Sequence, residues 1–309
     1  MIPRPPPREG SLGFLYLHPY RVQGVSIAGE ATTIQIPEMD LVFDMGICTR
    51  ASLASPTVAL THGHMDHVGG LPYWCSQRRF QGMGTGTIVC PAAMEDSIHA
   101  VMRGYQSLER QQTPYNVVPL AEDEEYPIKN TVVLRRFPVE HAAPCTGYVA
   151  VEKRSKLKTE YEGLPQEKLK ELKDRGEEIT RVLEIPLIAY TGDTGPGPHL
   201  IRDDVRKAKI VIADCTFIEP DHKGRARTGQ HMHIDDIAEW LGVLECEHLV
   251  LVHVSRRSNM NDARAALYKA LGSDHADRAR FLMDHRTIRE RYEAQREEAE
   301  RIEAARAAK

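Results

Sequence analysis

The amino-acid sequence predicts one α/β layered domain, and three observations support that fold class. Short β-branched and apolar runs alternate with segments of helical periodicity along the 309 residues. Clusters of His and Asp follow several predicted strands, which places a candidate active site along one sheet edge. No linker of altered composition divides the chain. We therefore predict a domain over residues 11–275, between a Pro-rich, disordered leader at 1–10 and a charged helical tail at 276–309.

Predicted strands in the first part of the chain are rich in β-branched and aromatic residues and are bounded by Gly or Pro. They lie at residues 14–17, 25–27, 32–36, 41–44, 57–61 and 87–90. A helix is predicted from Gly70, because Pro72 suits a first helical turn. A second helix, over residues 94–105, carries Ile98, Val101 and Met102 at the spacing of one apolar face.

Strands are predicted again in the second part, at residues 116–118, 131–134, 148–151, 187–190, 210–213 and 249–253. Ile234, Ile237 and Leu241 recur at helical spacing and predict a helix from Ile234. Another helix is predicted over residues 263–271. The tail is rich in Arg, Glu and Ala, which is typical of a solvated, charge-laced helix.

Bulk composition narrows the functional classes. The formal net charge of −4 lacks the basic excess typical of nucleic-acid-binding domains, although a local basic face could still bind a polyanion. No apolar run approaches the roughly 18 residues that span a bilayer, so no membrane partner is predicted. The first residues lack the apolar core of a secretory signal. Six scattered cysteines predict free thiols in a reducing compartment, and hence a cytoplasmic protein.

The most informative segment follows the strand predicted at 57–61. It holds His62, His64, Asp66 and His67. Side chains at this spacing cannot share one face of a regular helix, where neighbours are three and four residues apart. They can converge from a loop, and imidazole and carboxylate are ligands that zinc accepts. A polar surface loop is the alternative, but so dense a cluster favours a hydrolytic site with two metal ions.

Three further candidate ligands follow predicted strands later in the chain: His141, Asp193 and His253. Each alone would more often be a hydrogen-bonded structural residue. Together with the first cluster they suffice for two ions, and one carboxylate that bridges both is a natural arrangement. Asp193 is flanked by Gly192 and Gly195, which would let the backbone approach closely, and we predict it as the bridging ligand.

These motifs resemble the metallo-β-lactamase fold, an αββα four-layer sandwich, and His67 points to its hydrolase branch. Within that branch the chain is similar to ribonuclease Z, the endonuclease that trims precursor-tRNA 3′ ends, in its short plant-type form. The similarity runs from about residue 20 to residue 257. It includes further segments at residues 20–29, 43–48, 229–236 and 251–257.

The resemblance implies two zinc ions per chain and a role for every candidate ligand. One ion would be held by His62, His64 and His141. The other would be held by Asp66, His67 and His253. Asp193 and a hydroxide would lie between the two ions, and the hydroxide would attack phosphorus.

A general acid is also implied by the resemblance. It would be His231, held by Asp214, because such a hydrogen bond favours the protonated imidazole. With Asp66, these two complete the predicted catalytic residues. Two positions depart from the family, where Asp214 is often Glu and Gln230 is often Gly. A surface His at a helix start is the alternative for His231 and also for His233.

Four basic residues are predicted to bind the substrate: Lys153, Arg154, Arg256 and Arg257. The two arginines at 256 and 257 closely follow a candidate ligand, and a guanidinium suits phosphate recognition. Lys153 and Arg154 lie in a short interval, residues 151–186, where the family carries an arm that grips the tRNA elbow. A solvated loop is the alternative for that interval.

The predicted function is therefore zinc-dependent removal of 3′ trailers from precursor tRNA. Two alternatives remain open. One is a hydrolase of the same fold that acts on a small phosphodiester or thioester. The other is a metal-free binding or scaffold protein, against which the complete ligand set argues. The resemblance also implies a homodimer.

Overall fold

Two seven-stranded sheets carry the architecture of the computed structural model, which describes residues 2–272 and 278–307. The first sheet has the strand order β1 to β7, antiparallel from β1 to β4 and parallel from β4 to β7. Its strands are β1 Gly13–Leu17, β2 Tyr20–Ile27, β3 Ala31–Ile36, β4 Leu41–Phe43, β5 Thr57–Ala59, β6 Gly86–Pro91 and β7 Tyr115–Leu120.

The second sheet has the order β14 to β8, antiparallel from β8 to β11 and parallel from β11 to β14. Its strands are β8 Glu125–Lys129, β9 Val132–Pro138, β10 Thr146–Leu157, β11 Thr180–Tyr190, β12 Ile210–Asp214, β13 His248–Val252 and β14 Ala279–Phe281. The α-helices of the described residues are α1 Arg50–Leu53, α2 Met65–Val68, α3 Leu71–Phe80, α4 Glu95–Glu109, α5 Gln166–Asp174, α6 Asp203–Arg206, α7 Lys223–Gly229, α8 Ile234–Leu241, α9 Met260–Leu271 and α10 His285–Ala307.

Three apolar clusters show the order of the layers. Successive residues of a strand face opposite sides of the sheet, and Phe43 and Val42 of β4 do so. Phe43 packs between the sheets, where its ring centroid lies 6.5 Å from that of Tyr148 on β10. Val42 packs outward against a cluster that includes Trp74 of α3, and Trp240 of α8 covers the outer face of the second sheet. The order is helix, sheet, sheet, helix, as the resemblance implies.

The strands before β14 lie where they were predicted, with two exceptions. Strand β8 was missed because its sequence, EYPIK, is short, polar and interrupted by Pro127. Strands β10 and β11 both extend beyond their apolar halves into an exposed two-stranded ribbon. The polar halves carry no alternation that would have predicted a strand.

Helix predictions were correct in position, with smaller errors of detail. Helix α4 buries Ile98 and Met102, but Val101 is 48% exposed, so its predicted place on the buried face is wrong. Asp66 and His67 lie in the short helix α2, whereas a loop was predicted. None of the helices in the described part of the chain is long and apolar enough to cross a membrane. All six cysteines are free thiols.

The predicted tail is only partly a helix. Residues 276 and 277 lie outside the described residues, and residues 279–281 form β14, so the helical prediction is wrong for these three. Helix α10 packs on β1 through the rings of Tyr292 and Phe14, whose centroids are 5.6 Å apart. The leader also contacts the domain, because Pro3 is buried and Arg4 pairs with Glu38 at 3.2 Å.

Candidate metal centre

The seven predicted ligands converge at one edge of the sandwich. The segment after β5 supplies four of them, and the connections after β9, β11 and β13 supply one each. Because the parallel strands of both sheets end at this edge, residues far apart in the chain meet there. The seven are His62, His64, Asp66, His67, His141, Asp193 and His253.

A first donor group consists of His62, His64, His141 and Asp193. Nε2 of His62 lies 2.9 Å from Nδ1 of His64, which lies 3.5 Å from Nε2 of His141. Oδ2 of Asp193 lies 3.7 Å from Nε2 of His62. Ligand atoms about 2.0–2.1 Å from a tetrahedral zinc are about 3.3 Å apart, so the four atoms have the spacing of one coordination sphere.

A second group consists of Asp66, His67 and His253. Nε2 of His67 lies 3.4 Å from Nε2 of His253, and Oδ2 of Asp66 also lies 3.4 Å from Nε2 of His253. Oδ2 of Asp193 lies 3.3 Å from each of the two imidazole nitrogens. One carboxylate oxygen therefore faces both donor groups, which is the position that a bridging ligand requires.

Buried acceptors fix the tautomers of His62 and His67. Nδ1 of His67 lies 2.8 Å from Oδ2 of Asp44, a carboxylate that can only accept, so Nδ1 carries the proton. The Thr61 hydroxyl donates to Asp44 at 2.9 Å and therefore accepts from Nδ1 of His62 at 3.0 Å. In both rings the Nε2 lone pair is left to face the centre.

Neighbouring acceptors also fix the tautomers of His253 and His141. The Thr216 hydroxyl donates to Oδ1 of Asp214 at 2.7 Å and so accepts from Nδ1 of His253 at 2.9 Å. Nδ1 of His141 donates to the carbonyl of Gln230 at 3.2 Å. Gln230 has φ of 52°, a left-handed conformation that suits the glycine implied there by the resemblance. The departure from glycine thus leaves this carbonyl in reach of His141.

The donor set fits a metal centre. At least four imidazole nitrogens and two carboxylates converge on one small volume, which is the kind of donor set that a metal cation binds. Burial lowers the pKa of His62 to about 2, so its ring is neutral, which is the form that binds a metal. Burial alone would raise the pKa of Asp193, but the facing His253 and His67 outweigh it, and the pKa lies well below its usual range.

His231 and Asp214 form a pair directly beside the centre. Nδ1 of His231 lies 2.7 Å from Oδ2 of the fully buried Asp214, so the aspartate is long enough where the resemblance implies glutamate. The His231 ring stacks on that of His253 at a centroid distance of 5.3 Å. Burial opposes protonation of His231, but the Asp214 carboxylate outweighs it and raises the pKa of His231 to about 9. His233, by contrast, caps α8 and accepts from the Asp235 amide.

Two supporting residues, Asp44 and Thr216, were not predicted from the sequence. Asp44 accepts from the Tyr190 hydroxyl at 2.9 Å as well as from Thr61 and His67, and Thr216 joins Asp214 to His253. Both follow strand ends, at β4 and β12. This position at a strand end could have indicated both residues, because strand ends at the same edge supply the other residues of the site.

We expect the substitution Asp44→Asn to weaken zinc binding by about 10–100-fold, the usual effect of losing a partner behind a metal ligand. The side-chain amide would present donors to His67 and favour the tautomer with a proton on Nε2. Asp44 has φ of 57°, which Asn also adopts, so the fold should survive. Competitive titration with a zinc chelator measures the change. Tyr190→Phe removes one donor but keeps the carboxylate and should have a clearly smaller effect; equal effects would contradict this role.

The predicted substrate-binding residues do not all lie near the centre. Arg256 and Arg257 are exposed on the connection after His253, and Arg256 pairs with Glu30 at 2.9 Å. Lys153 and Arg154 lie on the β10 ribbon, seven and eight residues beyond its start at the site edge. That is roughly 20–25 Å along a strand. They pair with Glu125 and Glu152, each within normal salt-bridge distance.

Comparisons with known proteins agree with this geometry. Residues 34–269 match the family described as "Anti-Pycsar protein Apyc1". The tRNase Z TRZ1 of Arabidopsis thaliana is 31% identical over 80% of this chain and 90% of its own length. The chloroplastic tRNase Z TRZ2 of the same plant is 30% identical over 82% of this chain and 72% of its own.

Solved structures show the same fold at lower identity. The metallo-β-lactamase fold protein YhfI of Bacillus subtilis has a TM-score of 0.55 at 14% identity, over 87% of this chain and 94% of its own. The short form of human tRNase Z (ELAC1) has a TM-score of 0.53 at 18% identity, over 80% and 93%. The predicted αββα sandwich is confirmed. The chain therefore belongs to the ribonuclease Z family of metallo-β-lactamase-fold hydrolases, and equally to the family described as Anti-Pycsar protein Apyc1, whose match covers residues 34–269.

Proposed function

We propose that this protein is a two-zinc endoribonuclease that removes 3′ trailers from precursor tRNA. The observation that carries the proposal is the position of Asp193, whose Oδ2 atom lies 3.3–3.7 Å from imidazole nitrogens of both donor groups. Two metal ions a few ångströms apart clamp the attacking and leaving oxygens of a phosphodiester, and a carboxylate shared between the ions would hold that spacing. The curated relatives at about 30% identity carry the names tRNase Z and ribonuclease Z, which supports an RNA substrate.

In this proposal the zinc pair supplies Lewis-acid chemistry, which activates water and neutralises charge on the phosphoryl oxygens. The protein's own residues do the rest. Asp193 holds the two halves of the site at a fixed separation, and Asp66 contributes a carboxylate oxygen to the second half. His231, protonated and held by Asp214, donates its Nε2 proton to the departing 3′-oxygen.

The test is cleavage of a 3′-extended precursor tRNA by the zinc-loaded protein, with both product ends mapped. We expect one cut directly after the discriminator base, with a 3′-hydroxyl left on the tRNA. Hydrolysis of a simple phosphodiester without cleavage of the tRNA would contradict the proposed substrate and leave the metal centre in place.

A second candidate is hydrolysis of a smaller phosphodiester such as a cyclic nucleotide. The chain also matches a family whose name does not refer to tRNA processing, and this match supports the smaller substrate as a second candidate. The paired His231 and Asp214 would serve any alkoxide leaving group equally well. Turnover of cyclic nucleotides, measured beside precursor tRNA at equal enzyme concentration, separates the two candidates.

The rate of RNA cleavage should fall as pH rises through about 9. His231 acts as an acid only when protonated, and Asp214 raises its pKa to about 9, so the acid is present below that pH and lost above it. The variant Asp214→Asn removes the carboxylate, and its alkaline limb should move to lower pH. Single-turnover rates from pH 6 to 10 measure both profiles; an alkaline limb that stays in place would contradict this assignment.

We propose that Arg256 and Arg257 contact phosphates near the scissile bond. Lys153 and Arg154 would contact the substrate only through its more distant parts, since they lie along the ribbon. A homodimer and a cytoplasmic location stay predictions, and one named relative is chloroplastic. Light scattering of the purified protein tests the first.

A further inference from the structure

A pocket of about 500 Å³ opens beside the metal ligand His141. Its walls are mainly small apolar residues of the connections after β6 and after β9, including Ala92, Ala142 and Pro144. The metal loop borders the same region, because a Cβ placed on Gly63 would lie 4.0 Å from Met94, which follows Ala92 by two residues. This volume is within the range of sites that hold small ligands.

Among the side chains that line this pocket, Arg136 is the one permanent cation. It lies on β9 directly opposite Tyr148 of β10, and residues opposite one another project from the same face of a sheet. Tyr148 is fully buried between the sheets, and its hydroxyl donates to the carbonyl of Leu60, two residues before the first metal ligand. The Arg136 side chain therefore leaves the sheet on its inner face, toward the metal edge.

The Arg136 guanidinium has no partner among the described residues. Its Nε is buried without a hydrogen bond, and no carboxylate of that part of the chain lies within 4.0 Å. The preceding residue, Arg135, contrasts with it, because it pairs with Glu125 and Glu184 at 2.6 and 2.7 Å. Holding a half-buried cation without a counter-charge costs free energy, which an anionic ligand would offset.

We propose that this pocket is a nucleotide subsite, in which Arg136 binds a phosphate that flanks the scissile one. The planar guanidinium suits a phosphate, and the small Ala and Pro side chains leave room for the attached nucleoside. The inference rests on the proposed phosphodiesterase function and adds a recognition residue to it. The chemistry recognised is a second phosphate joined to the scissile one through a nucleoside, which inorganic phosphate lacks.

The first test is calorimetry of the zinc-loaded protein with uridine 3′,5′-bisphosphate and, separately, with inorganic phosphate. A hydrogen bond to a charged group predicts that Arg136→Met weakens bisphosphate binding about 10–100-fold. Binding of inorganic phosphate should weaken at least tenfold less. Arg136→Lys should recover part of the loss, and it keeps the test decisive if the Met variant does not fold. Equal losses for the two ligands, or no loss, would overturn the inference.

The second test compares two substrates. Arg136→Met should lower kcat/KM for an oligoribonucleotide at least tenfold more than for bis(p-nitrophenyl) phosphate, which has no flanking phosphate. For RNA, the plot of log kcat/KM against log salt concentration should have a slope about 0.7 smaller in magnitude for Arg136→Met than for the wild type. The control is Arg103→Met, an exposed arginine on α4 outside the pocket, which should leave both values unchanged. If the wild type cleaves no RNA, the proposed function fails, and calorimetry still decides the subsite.

Discussion

Replacing Asp193 by Ala should reduce phosphodiester hydrolysis by about 10³-fold or more and lower bound zinc below two ions per chain. The carboxylate oxygen faces both donor groups, so both lose a ligand and the charge that holds the ions together. Metal-based charge stabilisation is worth several kcal/mol, and each 1.4 kcal/mol is about tenfold in rate. Elemental analysis after gel filtration, with hydrolysis of bis(p-nitrophenyl) phosphate, measures both effects.

The variant His64→Ala provides a graded comparison, because His64 belongs only to the first donor group. It should leave about one zinc ion per chain and abolish turnover. Asp174→Ala, at an exposed position near the end of α5, is the matched control and should change neither quantity. Two ions and full activity in Asp193→Ala would refute the bridging role.

Replacing His231 by Ala should slow RNA cleavage by about 10²–10⁴-fold while zinc content stays unchanged. His231 bonds to Asp214 through Nδ1 and stacks on His253, and it is not one of the seven predicted ligands. The loss should depend on the leaving group. Nitrophenolate departs without a proton, so hydrolysis of bis(p-nitrophenyl) phosphate should fall far less than cleavage of RNA.

That comparison separates acid catalysis from damage to the centre. An equal loss on both substrates, or a loss of zinc, would indicate that His231 supports the ligands and donates no proton. His285→Ala, at the exposed start of α10, is the control for loss of an imidazole and should leave RNA cleavage unchanged.

The candidate ligands could be found from the sequence because their pattern is dense and chemically specific. His62, His64, Asp66 and His67 lie too close together for a regular helix face, and a converging site is the simplest use of such residues. Their partners could not be found in the same way. Asp44 is one of many acidic residues in the chain, and only the folded structure shows that its carboxylate accepts a hydrogen bond from Nδ1 of His67.

The strand predictions were correct where the strands are apolar and failed where the strands are polar. The apolar halves of β10 and β11 were predicted, but the halves beyond them are stabilised by pairing with each other, which local sequence does not encode. Strand β14 is three residues long and depends on β13, so nothing in residues 279–281 alone distinguishes it from the start of a helix.

The central claim is a two-metal centre with Asp193 between the ions, and anomalous diffraction at the zinc edge tests it most directly. Crystals of the zinc-loaded protein should show two peaks at the edge of the sandwich. One peak should lie among His62, His64 and His141, and the other among Asp66, His67 and His253, with Asp193 in contact with both. A single peak, or two ions that do not share Asp193, would contradict the account.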